Sequence, residues 1–373
     1  MKSEQRPATI FSVGGGKGGV GKSVLSIALA VVLARQGKSV ILADLDLGAA
    51  NLHTYLGIRG RIPSIADFMV NKVPSLSSIL VETPVPNLAL VSGAEFVPGI
   101  TNPAHWMKMK LIRHLRALPA EYLIIDLGAG VHFNTLDFFC LSDRGIVITT
   151  PEPGSVMNAY SFVKGALFRK IQGVFKHHPD LAPLIKDATN DPQDDPQFTL
   201  EWLSAKIGEI APDLRMIMDE IDQSFRPALV INRAPAGRTH VLVQNLISLC
   251  REKLGVRIDH VGDLPETRAL SNHLLNVPQF LDRREGKDYA SSVQWIVDRL
   301  VSAGEARQAL PDGAFFADED IKTLISLMDS LDERVFEGRN RNAWKLRLFF
   351  RPADVVSFLV SRGVSHDLFH KHQ

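Results

Sequence analysis

Two cysteines, Cys140 and Cys250, are all the thiol chemistry that 373 residues contain, and no CxxC pair occurs. That absence removes the simplest zinc and iron–sulfur readings. Isolated cysteines in apolar surroundings read instead as reduced core thiols in a reducing compartment. No apolar signal core follows Met1, and no segment approaches the roughly 20 apolar residues that a membrane span needs. The expected location is the cytoplasm. An excess of one charge is missing too: 42 Lys and Arg face 41 Asp and Glu, for a net charge of +1. No overall field draws in nucleic acid, which leaves only a local basic patch for that purpose. What remains is the composition of an ordinary globular protein, 45% hydrophobic and 22% charged, long enough for one large domain or two modest ones.

Against this background one segment stands out: Gly14-Gly15-Gly16-Lys17-Gly18-Gly19-Val20-Gly21-Lys22-Ser23. Glycines lacking Cβ atoms let successive backbone N–H groups converge on phosphate oxygens. Lys22 at the end of the run can reach β- and γ-phosphates, and the Ser23 hydroxyl can ligate Mg²⁺. The β-type run Thr9-Ile10-Phe11-Ser12-Val13 precedes it, and a long apolar helical stretch from Val24 to Ala34 follows. A helix N-terminus therefore faces the phosphates. A looser pattern, Gly16-x-Gly18-x-x-Gly21 with Asp44 or Asp46 downstream, also fits a dinucleotide site. Such a site has no use for an adjacent lysine and hydroxyl, so the nucleoside-triphosphate reading leads.

Further strand-like runs begin at Ser39, Leu88, Tyr122, Gly145 and Pro227, and several are continuously apolar. Strands buried on both faces of a parallel sheet have this character, and helical patterns lie between them. The expected fold is α/β, a doubly wound, mostly parallel sheet with helices on both faces. Ligands in such folds gather at the carboxyl ends of strands. Two carboxylates, Asp44 and Asp46, leave the second run on one side, where they can approach Mg²⁺ or an attacking water. An N-cap or loop role is the plain alternative. Asp126 closes the run Ile124-Ile125 where a carboxylate would hold the metal, usually through water. Gly128-Ala129-Gly130 supplies a turn able to sense a γ-phosphate.

Taken together these motifs resemble the MinD/ParA ATPases, with their deviant phosphate loop. Asp44-Leu45-Asp46-Leu47-Gly48 with Asn51-Leu52 resembles the first switch of the MinD branch. Asp126-Leu127-Gly128-Ala129-Gly130-Val131 and Thr149-Thr150-Pro151-Glu152-Pro153 look most like the flagellar-number regulators FlhG and FleN. The resemblance implies a phosphate-loop ATPase domain over residues 8–300 and an ATP-dependent homodimer that hydrolyses ATP slowly and works with a regulatory protein partner. It implies Lys17 and Asp46 as catalytic residues, Lys17 crossing to the partner's nucleotide and Asp46 positioning water. Gly16, Lys17, Gly18, Gly19, Val20, Gly21, Lys22, Ser23 and Val24 would hold the nucleotide, with Asn232 and Pro265 at the base. Ser23, Asp44 and Asp126 would serve Mg²⁺. A DNA-partition ATPase is the alternative, and an Mrp-type iron–sulfur carrier a weaker one.

Three features depart from the family pattern. Val24 stands where many relatives have a hydroxyl, so a side-chain contact to the α-phosphate is lost. The N-terminal extension lacks the Asp-Gln…Leu-Arg element by which FlhG proteins activate a partner GTPase. Residues 173–226 are longer than the family needs and read as a helical insertion, either a partner surface or core-covering helices. A helical appendage is expected over residues 314–373, with an amphipathic stretch at 318–336. Its segment 339–351 interleaves basic residues with Trp344, Phe349 and Phe350, as peripheral contact with an anionic membrane would need. A core-covering element is the alternative there. His366, His370 and His372 belong to a metal site or to a loose tail.

Overall fold

The computed structural model describes residues 8–308 except for 48–49, 94–104, 176–177, 179, 190–198 and 236–238. The turn-rich break that the sequence predicts at 191–196, and the expected appendage, membrane segment and histidine tail beyond residue 313, therefore lie outside the described residues. The described chain divides into two compact units, made of residues 8–169, 199–200 and 222–300, and of residues 170–189, 201–221 and 301–308.

The first unit holds eight strands: β1 (Thr9–Gly14), β2 (Val40–Leu45), β3 (Leu80–Glu82), β4 (Leu88–Val91), β5 (Tyr122–Leu127), β6 (Arg144–Thr149), β7 (Ala228–Ala234) and β8 (Asp259–Pro265). They form one sheet in the order β3-β4-β2-β5-β1-β6-β7-β8. Every neighbouring pair is parallel except β3 with β4, so the fold is the doubly wound α/β sheet that the apolar runs predict. Two strands are additions. β3 is three residues long, too short for a periodic signal. β8 reads Asp-His-Val-Gly-Asp-Leu-Pro, and an edge strand of this kind needs no continuous apolar run.

Register matters more than strand count. Asp126 pairs with Val13 on one side and with Asp44 on the other, so a single row across β1, β5 and β2 carries both carboxylates to the loop after β1. Helix α1 (Lys22–Arg35) starts from that loop, and residues 24–34 are buried on every side. A helix apolar all round is the expected solution for a central element packed against sheet and neighbours. It stops at Gly37, whose φ of 81° suits glycine. There Gly37 N donates to Ala34 O and Lys38 N to Leu33 O, satisfying terminal carbonyls.

Three helices, His105–Arg116, Phe133–Phe139 and Pro153–Phe175, the last through Arg169, meet at one buried carboxylate. Asp137 accepts from Arg169 Nε at 2.5 Å and Nη2 at 2.9 Å, and also from Lys108 Nζ. Burial pushes the Asp137 pKa up, but the hydrogen bonds and charges of Arg169 and Lys108 outweigh it and hold the carboxyl below its ordinary value.

In the second unit the described elements are helices. Leu181–Thr189, Leu200–Ile210 and Arg215–Ser224 fall within the expected insertion. The pattern through Trp202, Ile207, Leu214 and Ile221 predicts one helical stretch, whereas the chain breaks into a 3-10 turn at Pro212–Leu214. Pro212 supplies no N–H to continue the preceding helix. Leu181, Ile185, Leu203, Ile207, Met218 and Ile221 are buried.

Candidate functional site

The loop after β1 is shaped by what its glycines permit. A Cβ at Gly16 would lie 2.0 Å from the backbone oxygen of Asn158, so the loop lies against helix Pro153–Phe175 only because none is there. Gly21 has φ of 99° and forms the N-cap of α1 without any side-chain cap. The first N–H groups of a helix have no intrahelical acceptor, so this end offers donors to an anion. Its two lysines sit in opposite environments. Lys22 is buried, and burial lowers its pKa against the raising influence of Asp126 and Asp46. Lys17 is exposed and pairs with Glu152 at 3.0 Å. Glu152 is held below its ordinary pKa mainly by that hydrogen bond.

Asp126 is fully sequestered. It accepts from Ser26 Oγ at 2.9 Å and from the Ser23 hydroxyl. Burial raises it to about 6 in spite of those hydrogen bonds and the Lys22 charge. Asp44 faces it across the register. Its Oδ1 accepts from Asp46 N and its Oδ2 from Leu52 N, both at 3.2 Å. Burial first, then the Asp126 charge, raises Asp44 to about 8. Two carboxyls at a strand end that resist ionisation form a site that a divalent cation would relieve. Asp46 is half-buried beside the Gly128–Gly130 turn: a Cβ at Gly128 would sit 3.2 Å from its Oδ1. That turn is tied to the loop by Gly130 N donating to Gly15 O at 3.3 Å.

Among the described residues no group of three or more His, Cys, Asp and Glu side chains is arranged to hold a metal ion. The donors suit Mg²⁺ instead, which keeps several waters and takes one or two protein groups plus phosphate oxygens. The buried geometry of Asp44 does not suit a ribose contact, and so the dinucleotide alternative loses one of its two candidate carboxylates.

On the other side of the loop, Asn232 Nδ2 donates to Val20 O at 2.8 Å and Arg233 Nη2 to Gly19 O at 3.4 Å. Pro265, at the end of β8, is in register with Ala234 beside them. Val24 is buried as the third residue of α1. The structure thus gathers residues 16–23, Asp44, Asp46, Asp126 and Asn232 at the carboxyl ends of the parallel strands. Three participants were not read from the sequence as functional: Ser26, Glu152 and Arg233. Ser26 did carry a signal, being the lone polar residue in the apolar run from Val24 to Ala34.

The model of the CobQ/CobB/MinD/ParA nucleotide-binding domain matches residues 11–277. The chain belongs to this family. Among curated relatives of this MinD/ParA-type domain, the antiactivator FleN of Pseudomonas aeruginosa is 28% identical over 166 residues, 42% of this chain and 56% of FleN. The septum site-determining protein MinD of Synechocystis is 33% identical over 151 residues, 40% of this chain and 56% of that protein. The chain thus matches little more than half the length of either relative. A solved structure of MinD with Mg-ADP from Pyrococcus horikoshii shares the fold, with a TM-score of 0.52 at 16% identity, covering 80% of this chain and 98% of that one. In the described residues no helix is long and apolar enough to cross a membrane.

Proposed function

We propose that the chain binds ATP with Mg²⁺, dimerises on it, hydrolyses it slowly, and uses the cycle to position or count a cellular assembly. The observation that carries this reading is the split between the two lysines of one loop. Lys22 is buried within its own site, while Lys17 stands in solvent with Glu152 as its ion-pair partner. Exposed ion pairs are weak and screened by salt. Lys17 is therefore free to exchange Glu152 for a phosphate on a second chain, where it would neutralise developing charge.

Within each chain Lys22 and the N–H groups of the loop hold phosphates, and Asp46 orients the attacking water beside Gly128. The Ser23 hydroxyl, with Asp126 and Asp44 behind it, would hold Mg²⁺, whose charge would offset that of the phosphates. Loss of the γ-phosphate would be felt by the Gly128–Gly130 turn, which is hydrogen-bonded to Gly15. Asn232 and Pro265 would contact the base. The names of FleN and MinD support a role in regulation or site selection, carried out with a regulatory protein partner. Contact of residues 339–351 with an anionic membrane belongs to the same reading, and sedimentation with anionic liposomes before and after truncation at Gly338 tests it.

Light scattering coupled to size exclusion tests the switch. The wild type should be monomeric with ADP and dimeric with Mg·ATP, and Lys17→Ala should bind ATP yet stay monomeric. A wild type that stays monomeric with ATP, or a Lys17→Ala protein that dimerises and turns over normally, would refute it.

A further inference from the structure

The carboxyl end of β7 departs from a regular strand. Its register with β8 shifts between Ile231 and Ala234, and Arg233 in that interval has φ of 54°. Left-handed backbone is uncommon for residues with a side chain and gathers at functional positions. In a regular strand Asn232 and Arg233 would point to opposite faces. With this irregularity both reach one loop, Asn232 Nδ2 to Val20 O and Arg233 Nη2 to Gly19 O. The Arg233 N–H donates to Asn232 Oδ1 at 2.9 Å, which fixes the amide with Nδ2 toward the loop.

A peptide unit is planar and trans, so its C=O and the following N–H point in opposite directions. Holding the carbonyls of Gly19 and Val20 toward β7 turns the N–H groups of Val20 and Gly21 to the other side of the loop. An anion-binding concavity needs its N–H groups turned in that way. Gly21 completes the fit, because a Cβ there would lie 2.3 Å from Asn232 Nδ2.

We propose that Asn232 and Arg233 are positioning residues that clamp two loop carbonyls and preset the phosphate site, whatever base the ligand carries. This rests on the nucleotide-binding reading and goes beyond a base-reading role for Asn232. Nδ2 has a second hydrogen, so the clamp leaves one donor for a base.

Calorimetric titration of the full chain with Mg·ATP and with inorganic tripolyphosphate tests the clamp. One hydrogen bond between neutral groups corresponds to roughly 2- to 10-fold in affinity. Asn232→Ala should therefore weaken tripolyphosphate by about that factor, and ATP by at least as much. Arg233→Ala, at an exposed position, should weaken both ligands less, and Arg233→Lys should restore part of the loss. If Asn232→Ala fails to fold, the Arg233 pair carries the test. Tripolyphosphate affinity unchanged in Asn232→Ala and Arg233→Ala would overturn the clamp while leaving the nucleotide reading intact. A wild type that binds neither ligand would overturn both.

Discussion

Gly21→Ala tests the loop most sharply, because two separate costs meet at that residue. An alanine would have to hold φ near 99°, the conformation that glycine has there. Left-handed backbone costs a residue with a Cβ about 1–2 kcal/mol. The new methyl would also lie 2.3 Å from Asn232 Nδ2, so the amide must move and give up its bond to Val20 O. That loss adds about 1 kcal/mol. The expected destabilisation is about 2–3 kcal/mol in the ligand-free protein, a large part of a typical net stability of 5–15 kcal/mol. Urea denaturation of four proteins, namely wild type, each single variant and Gly21→Ala with Asn232→Ala, separates the two parts. Where Asn232 is already alanine the clash is absent, and Gly21→Ala should cost only its backbone share. The cycle should show a coupling of about 1 kcal/mol. Equal costs in both backgrounds would refute the close contact, and a cost near zero would refute the left-handed backbone as well.

Two further outcomes follow from buried charge. Asp137→Ala leaves Lys108 and Arg169 without their shared carboxylate, and breaking a buried pair in this way costs about 3–5 kcal/mol. A loss under 1 kcal/mol in urea denaturation would show that the cluster is not closed to water. The folded Asp44 carboxyl sits at about 8 against 3.8 for an ordinary aspartate. A raised carboxyl contributes stability while protonated and loses it as pH rises through the folded value. Between pH 7 and pH 8, protein free of nucleotide and Mg²⁺ should lose about 1 kcal/mol. His114, lowered mainly by burial, acts in the opposite sense only below its ordinary 6.5 and does not enter this window. Equal or greater stability at pH 8 would refute the sequestered Asp44.

Much of the site was legible because phosphate chemistry imposes a local order. Residues 16–23 lie contiguously between a strand and a helix, and the requirement for positive φ and close approach selects glycine in the sequence itself. Asp126 was equally visible, as the first acidic residue after an apolar strand. Arg233 was not, since nothing in Val-Ile-Asn-Arg announces a bulge or a left-handed residue. By spacing alone Asp44 and Asp46 were equivalent, and only the family resemblance gave them separate roles. The sheet separated them by pairing Asp44 with Asp126 and leaving Asp46 beside Gly128. β3 and β8 escaped notice because short or polar edge strands take their pairing from a neighbour.

By itself the sequence determined the phosphate loop, the parallel sheet and the family, because each depends on residue type at short range: glycine spacing, apolar runs, a lysine–hydroxyl pair. Tertiary structure alone decided how the loop is held. Asn232 and Val20 are 212 residues apart, and only the sheet order brings the end of β7 to the loop after β1. It also decided that Lys17 faces solvent and Lys22 does not, since burial depends on what packs around a side chain rather than on which residue it is.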